Sequence, residues 1–277
     1  MGTLYDPHWV RDYYAAYGER EWHRWEESPV EQVKFEIHRR VLAEYVSSGD
    51  RVLEIGAGAG RFTRELAQIT DRIVVGDLSP AQLSLNRRHA EDLGYGHAVE
   101  GWVECDVTDL APHFADDAFD VVVCYGGPLS YVFDRCATAL REMKRVVRPQ
   151  GFILASVMSL WGTVHQYLEG VLAVDVEANR LILGTGDLTP RTIGPGRHYC
   201  HMFRIEEVRD LMLNAGLALD LLSASDCLSV GWAEQLSQID RGDPRWEHLI
   251  EMEVDACRDP GCAGLGSHIV VAARKMD

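Results

Sequence analysis

The 277-residue chain is 47% hydrophobic, enough to fill one large core, and carries 43 Asp and Glu against 27 Lys and Arg, a formal charge of −16. That potential repels phosphate backbones, so no nucleic-acid partner is expected, and no run of about 18 apolar residues predicts a membrane-spanning helix. Seven scattered cysteines without CxxC spacing, and an N-terminus without a basic and then apolar leader, predict a reduced, cytoplasmic protein with no disulfide frame.

In chain order, residues 1–49 form an aromatic, helix-patterned N-terminal segment with Tyr5, Trp9, Tyr13, Tyr14, Tyr17, Trp22 and Trp25, rings that either anchor a helix to the core or wall a pocket. From about residue 50 to 158, short β-branched runs alternate with helical patterns, the signature of a parallel sheet with crossover helices. Strands are predicted at Arg51–Ile55, Ile73–Asp77, His97–Cys105, Phe119–Cys124 and Phe152–Met158, with helices near Arg61–Ile69, Pro80–Leu93 and Arg135–Val147. Ser79-Pro80 marks one helix start, a cap followed by a proline whose missing N–H costs nothing there. Residues 160–203 carry Gly184, Gly186, Pro190, Gly194, Pro195 and Gly196, too turn-rich for regular elements throughout, and read as an inserted cap. A helix at Ile205–Ala215, a strand at Leu217–Ser225, a helical stretch near Trp246–Cys257 and a strand at His268–Arg274 complete a domain spanning 50–277.

The chemistry concentrates at strand ends. Val52-Leu53-Glu54-Ile55-Gly56-Ala57-Gly58-Ala59-Gly60 runs a buried strand into glycines that let the backbone turn sharply and approach a ligand. Asp77 closes the next strand, roughly twenty residues on, where a carboxylate can hold ribose hydroxyls. Glu104-Cys105-Asp106-Val107 ends the third strand with a carboxylate beside small apolar groups suited to adenine, and Cys124-Tyr125-Gly126-Gly127-Pro128 ends the fourth in a glycine turn.

On these motifs the chain resembles the class I S-adenosylmethionine (SAM)-dependent methyltransferases, whose first motif is an acidic residue followed by GxGxG and whose second is an acidic residue closing the second strand. The resemblance implies an α/β, Rossmann-like, doubly wound seven-stranded sheet with its last strand antiparallel, an N-terminal helical lid and a cap after the fifth strand. Glu54, Gly56, Ala57, Gly58 and Gly60 would line the methionine moiety of the cofactor, and Asp77 with Leu78 the ribose. Cys105, Asp106 and Val107 would meet adenine, and Cys124, Tyr125 and Gly126 would lie under the sulfonium.

For the acceptor, His198, His201 and Tyr125 are the candidate catalytic groups, a histidine being best poised to take a proton near neutral pH. His198 and His201 share a face on a helix and point apart on a strand. A zinc or iron reading, with Asp226 or Cys227 as third ligand, lacks diagnostic spacing, and no metal is expected. Tyr13, Tyr17, Trp22, Tyr131, Trp161, His165 and Tyr199 are candidate acceptor contacts, each also readable as core. The place after the fourth strand lacks the Asn/Asp-Pro-Pro-aromatic run of adenine and glutamine amino methyltransferases. The expected function is methyl transfer to an oxygen, nitrogen or carbon of a small organic acceptor, in specialised metabolism. The rivals are an NAD-type oxidoreductase, a non-catalytic SAM-binding accessory protein, and a SAM-binding catalyst of cyclisation or rearrangement.

Overall fold

The computed structural model describes residues 3–277, so Met1 and Gly2 of the expected N-terminal segment lie outside the described residues. Strands form at Val52–Ile55 (β1), Ile73–Asp77 (β2), Val99–Glu104 (β3), Phe119–Cys124 (β4), Val147–Met158 (β5), Asp187–Leu188 (β6), Cys200–His201 (β7), Leu217–Ala224 (β8) and His268–Lys275 (β9). Seven of them make one sheet of order β3-β2-β1-β4-β5-β9-β8, while β6 and β7 form a separate pair. The first five run parallel, and β9 is antiparallel to both β5 and β8. This is the expected doubly wound sheet with its last strand reversed.

Helices Pro7–Tyr17 (α1), Arg20–His23 (α2) and Pro29–Tyr45 (α3) precede the sheet, and Arg61–Leu66 (α4), Pro80–Asp92 (α5), Pro128–Tyr131 (α6) and Cys136–Val146 (α7) lie in its crossovers. Period-two alternation divides the strands between two cores. Leu53, Ile55, Val122 and Cys124 face α7, whereas Val52, Val121, Val123 and Tyr125 face α3, α4 and α5. The α7 stripe Cys136, Ala139, Leu140, Met143 and Val146 recurs every three or four residues and is buried. Each large side chain so withdrawn from water contributes about 1.5–3 kcal/mol.

Two expectations are corrected in extent. The fifth strand starts at Val147 rather than Phe152, because a register shift between Phe119 and Val121 of β4 lets β5 carry Pro149 and Gly151 as an irregularity. At Gly151 a Cβ would stand 2.5 Å from the Asp120 carbonyl oxygen. The cap is also more regular than its glycines suggest: Leu160–Gln166 (α8), Leu168–Leu172 (α9), Val176–Thr185 (α10) and Pro190–Ile193 (α11) precede β7. It leaves and rejoins the domain at one point, where Phe203 N donates to Met158 O (2.8 Å) and Leu160 N to Phe203 O (2.9 Å). Ile205–Asn214 (α12), Ala233–Leu236 (α13) and Pro244–Arg258 (α14) follow. No helix among the described residues is long and apolar enough to cross a membrane.

Candidate active site

The cofactor cradle lies at the carboxyl ends of β1 and β2. Gly56 and Gly58 take φ of +71° and +53°, the left-handed region, and a Cβ on Gly56 would stand 2.3 Å from Pro128 Cγ. Asp77 accepts from the backbone N–H of Gly58 and of Ser79, each at 2.8 Å, so the acid that ends β2 also fixes the glycine loop of β1. A cavity of about 630 Å³, counting its open mouth, is bounded there by Gly56, Gly58, Asp77, Leu78, Cys105, Val107 and Gly126. Gln82 Oε1 beside it is buried without a partner.

A smaller recess continues past the glycines between Glu54, Ala57 and Tyr125 on the sheet side and Arg24 on the N-terminal side. Glu54 accepts from Thr63 Oγ1 at 2.6 Å, and burial, with the nearby Asp77 charge adding to it, pushes its carboxyl up to about 8. Arg24 Nε pairs with Glu21 at 2.8 Å, and burial raises the Glu21 pKa against the pull of that guanidinium. The cavity with one anchored carboxylate, the recess carrying both an acid and a guanidinium, and the orphan Gln82 oxygen together fit a nucleoside joined to an amino acid.

A second cavity, of about 1040 Å³ with its mouth, adjoins the first. Tyr14, Glu21 and Tyr131 line both. Tyr13, Tyr17 and His198 also line the second; His198 Nε2 lies 3.2 Å from the Tyr131 hydroxyl, and burial lowers its pKa to about 4. The Tyr131 hydroxyl in turn donates to Gly126 O at 3.5 Å, tying the two cavities together.

Several expected contacts fall elsewhere. His201 sits on β7 with its side chain away from Cys200, which lines the cavity, and its Nδ1 meets Asp187 at 2.7 Å; alternation along a strand separates it from His198. Cys227 lies 4.0 Å from Cys257 through their sulfurs, and Asp226 is engaged by Ser225 and Ser267, so neither completes a set with those histidines. Cys124 is wholly buried on the opposite face of β4 from Tyr125. Gly60 turns the chain into α4 against Asn86 rather than lining the cradle. Asp106 accepts the Tyr5 hydroxyl at 2.7 Å. Trp22 packs on His89 with ring centroids 4.0 Å apart, and Tyr199 on Trp9 at 4.8 Å, as anchors of the N-terminal segment. Trp161 is 47% exposed beside Arg204, and His165 is exposed on α8. Tyr125 lines the cradle, but its hydroxyl is buried without a partner among the α3 and α4 aromatics.

A methyltransferase-domain family profile matches residues 52–151, the segment from β1 into β5 that holds every cradle residue of the sheet. The sheet order, with one antiparallel strand inserted beside β5, departs from the all-parallel 3-2-1-4-5-6 order of dinucleotide-binding folds. The chain has the class I SAM-dependent methyltransferase fold. The cofactor of this fold is SAM. The chain is 34% identical over 113 residues to a ubiquinone/menaquinone biosynthesis C-methyltransferase UbiE of Hahella chejuensis, a match covering 39% of the chain and 43% of that protein. It thus spans about two fifths of the length of the first curated relatives that it matches. A ubiquinone biosynthesis O-methyltransferase of Xanthomonas axonopodis pv. citri is 28% identical over 205 residues, 72% of the chain and 78% of that protein. Among solved structures, the 1,6-didemethyltoxoflavin-N1-methyltransferase of Burkholderia thailandensis superposes with a TM-score of 0.56 at 20% identity, covering 100% of this chain and 93% of that one.

The sequence missed Glu21, Arg24 and Gln82. Their signal was present only as polar residues inside an aromatic segment and on the buried side of an otherwise solvated helix.

Proposed function

We propose that the protein transfers a methyl group from SAM to a small, largely apolar organic acceptor at an oxygen, nitrogen or carbon atom. The observation that carries this reading is the junction of the two cavities, walled by Tyr14, Glu21 and Tyr131, with the glycine-loop and Asp77 cradle on one side and a tyrosine-rich cavity on the other. SAM supplies a methyl group made electrophilic by the adjoining sulfonium. Asp77 would hold the ribose, Cys105 and Val107 the base, and Glu54 with Arg24 the two charges of the amino-acid end. The protein's own contribution is to orient the acceptor and exclude water, converting a bimolecular displacement into an intramolecular one. Where the acceptor must shed a proton, His198, lining the acceptor cavity beside Tyr131, is the imidazole placed to take it; its lowered pKa makes it a weak base, suited to an acceptor that is already acidic.

The named relatives are methyltransferases of ubiquinone and menaquinone biosynthesis, and the structural neighbour is a 1,6-didemethyltoxoflavin N1-methyltransferase, which supports an organic acceptor. The charge of −16 favours a small molecule over a nucleic acid, and free thiols suit a cytoplasmic setting.

Calorimetry with S-adenosylhomocysteine (SAH), and separately NADH, tests the cofactor reading. Wild-type protein binds SAH alone, and Asp77→Ala, which loses charge-assisted bonds to the ribose, weakens it by roughly a hundredfold. NADH binding in its place overturns the reading. SAH binding with no methylated product from any acceptor favours the accessory protein, and an unmethylated rearranged product favours the cyclase.

A further inference from the structure

The acceptor cavity has an unpartnered polar side chain on its wall. His268, the first residue of β9, is 3% exposed and lines this cavity, yet neither of its ring nitrogens has a hydrogen-bond partner. Its backbone is fully engaged, with His268 N donating to Ser225 Oγ at 3.1 Å and its carbonyl accepting from Ser225 N at 3.0 Å, so the ring is held and not free to seek solvent. A buried polar group left unmatched costs about 1–3 kcal/mol, which is why such groups are rare without a ligand or water to meet them.

The surroundings define what would meet it. Burial keeps the imidazole neutral, and the charges of Lys34 and Arg24 push the same way. Nearby, buried Lys34 binds Glu31 at 2.6 Å, Arg24 Nε binds Glu21 at 2.8 Å, and Asp226 Oδ1 accepts from Ser225 and Ser267. The neutral ring itself offers a charged ligand end no counter-charge. A hydroxyl suits the site, because it donates or accepts and so matches the cavity-facing nitrogen in either tautomer. Tyr13 and Tyr17, stacked with centroids 6.1 Å apart, and His198, 5.3 Å from Tyr13, give the cavity flat ring walls. His268 lines the acceptor cavity alone, whereas Tyr131 lines both cavities.

We propose that His268 is a specificity residue that recognises, on a flat aromatic acceptor, a hydroxyl other than the group that is methylated. This rests on the methyltransferase reading of the same site. The test compares 2-naphthol with 2,7-dihydroxynaphthalene, which adds a second hydroxyl at the far end of the same ring system, by calorimetry on protein saturated with SAH. Wild-type protein binds the diol about tenfold more tightly, the factor that one uncharged hydrogen bond supplies. His268→Phe and His268→Leu, two apolar replacements so that a folding failure of one leaves the other, bind both probes equally and keep wild-type affinity for SAH. Equal binding of the probes by the wild type, a diol preference that survives in the variants, or no binding of either probe by the loaded wild type overturns the proposal. Loss of SAH binding by the wild type instead overturns the cofactor reading beneath it.

Discussion

Glu54 shows how one residue serves structure and chemistry at once. Its carboxyl is buried, donated to by Thr63 and raised to about 8, so in the free protein it is mostly protonated at pH 7. A cation brought into the same recess favours the ionised form, because opposite charges at short range lower a carboxyl pKa. SAH binding at pH 7 should then release close to one proton, read as a buffer-dependent binding enthalpy in calorimetry, and Glu54→Gln should abolish the dependence. Stability follows with a defined sign. A carboxyl whose folded pKa lies above its unfolded value of about 4.5 contributes stability below pH 4.5 that is lost as pH rises through about 8. Urea melts of Glu54→Gln should therefore gain on the wild type steadily between those limits, by up to about 1.4 kcal/mol per pH unit. Asp77 differs in kind: two backbone N–H groups satisfy it in place, and its role in fixing the Gly58 loop needs no ligand.

At the scale of elements, the N-terminal helices decide how the cradle closes. Tyr5, preceding α1, donates its hydroxyl to Asp106, the carboxylate assigned to the adenine amino group. Tyr5→Phe removes that competitor and should tighten SAH by several-fold, about the worth of one hydrogen bond to a charged group less the cost of reorganising it, as measured by calorimetry. Equal affinity would mean that Asp106 only orders the segment. The α1 and α2 segment is also where sequence reading stopped short. The glycine loop, Asp77 and the β3 end were legible because each is a local pattern at a strand terminus, fixed by backbone geometry that glycine and acid residues reveal. Glu21 and Arg24 reach the cradle from more than thirty residues upstream of it, and no periodicity says which polar side chain of a short helix turns inward. His201 and Cys124 were misdirected for a related reason: sequence names a residue near a strand end, but only the register settles which face it takes. The cap hid short helices behind glycines that serve as their stops, as Gly186 does for α10 at a φ of +81°. Protease digestion cuts this segment and the cap more slowly once SAH fills the cradle, because Tyr14 and Glu21 line the site they would then contact; equal digestion rates would detach the segment from cofactor binding.

For the whole molecule, the sheet order sets the plan of the site. Reversing β9 between β5 and β8 brings His268, at its first residue, level with Met158 at the end of β5, on the same edge of the sheet as the glycine loop. Parallel strands deliver the cradle residues, and one antiparallel strand delivers His268 to the wall of the second cavity. The overall sheet was readable from alternation alone, but this juxtaposition was not, since His268 and Met158 are 110 residues apart in sequence. The junction has a kinetic corollary. One stretch of chain, α1 with α2, supplies Tyr14 and Glu21 to both chambers, so a movement of that stretch would widen or narrow both at once. If product release waits on that movement, turnover is paced by diffusive motion against solvent drag rather than by bond making. Steady-state kcat should fall in proportion as sucrose thickens the medium, whereas single-turnover methylation of preloaded protein should not change.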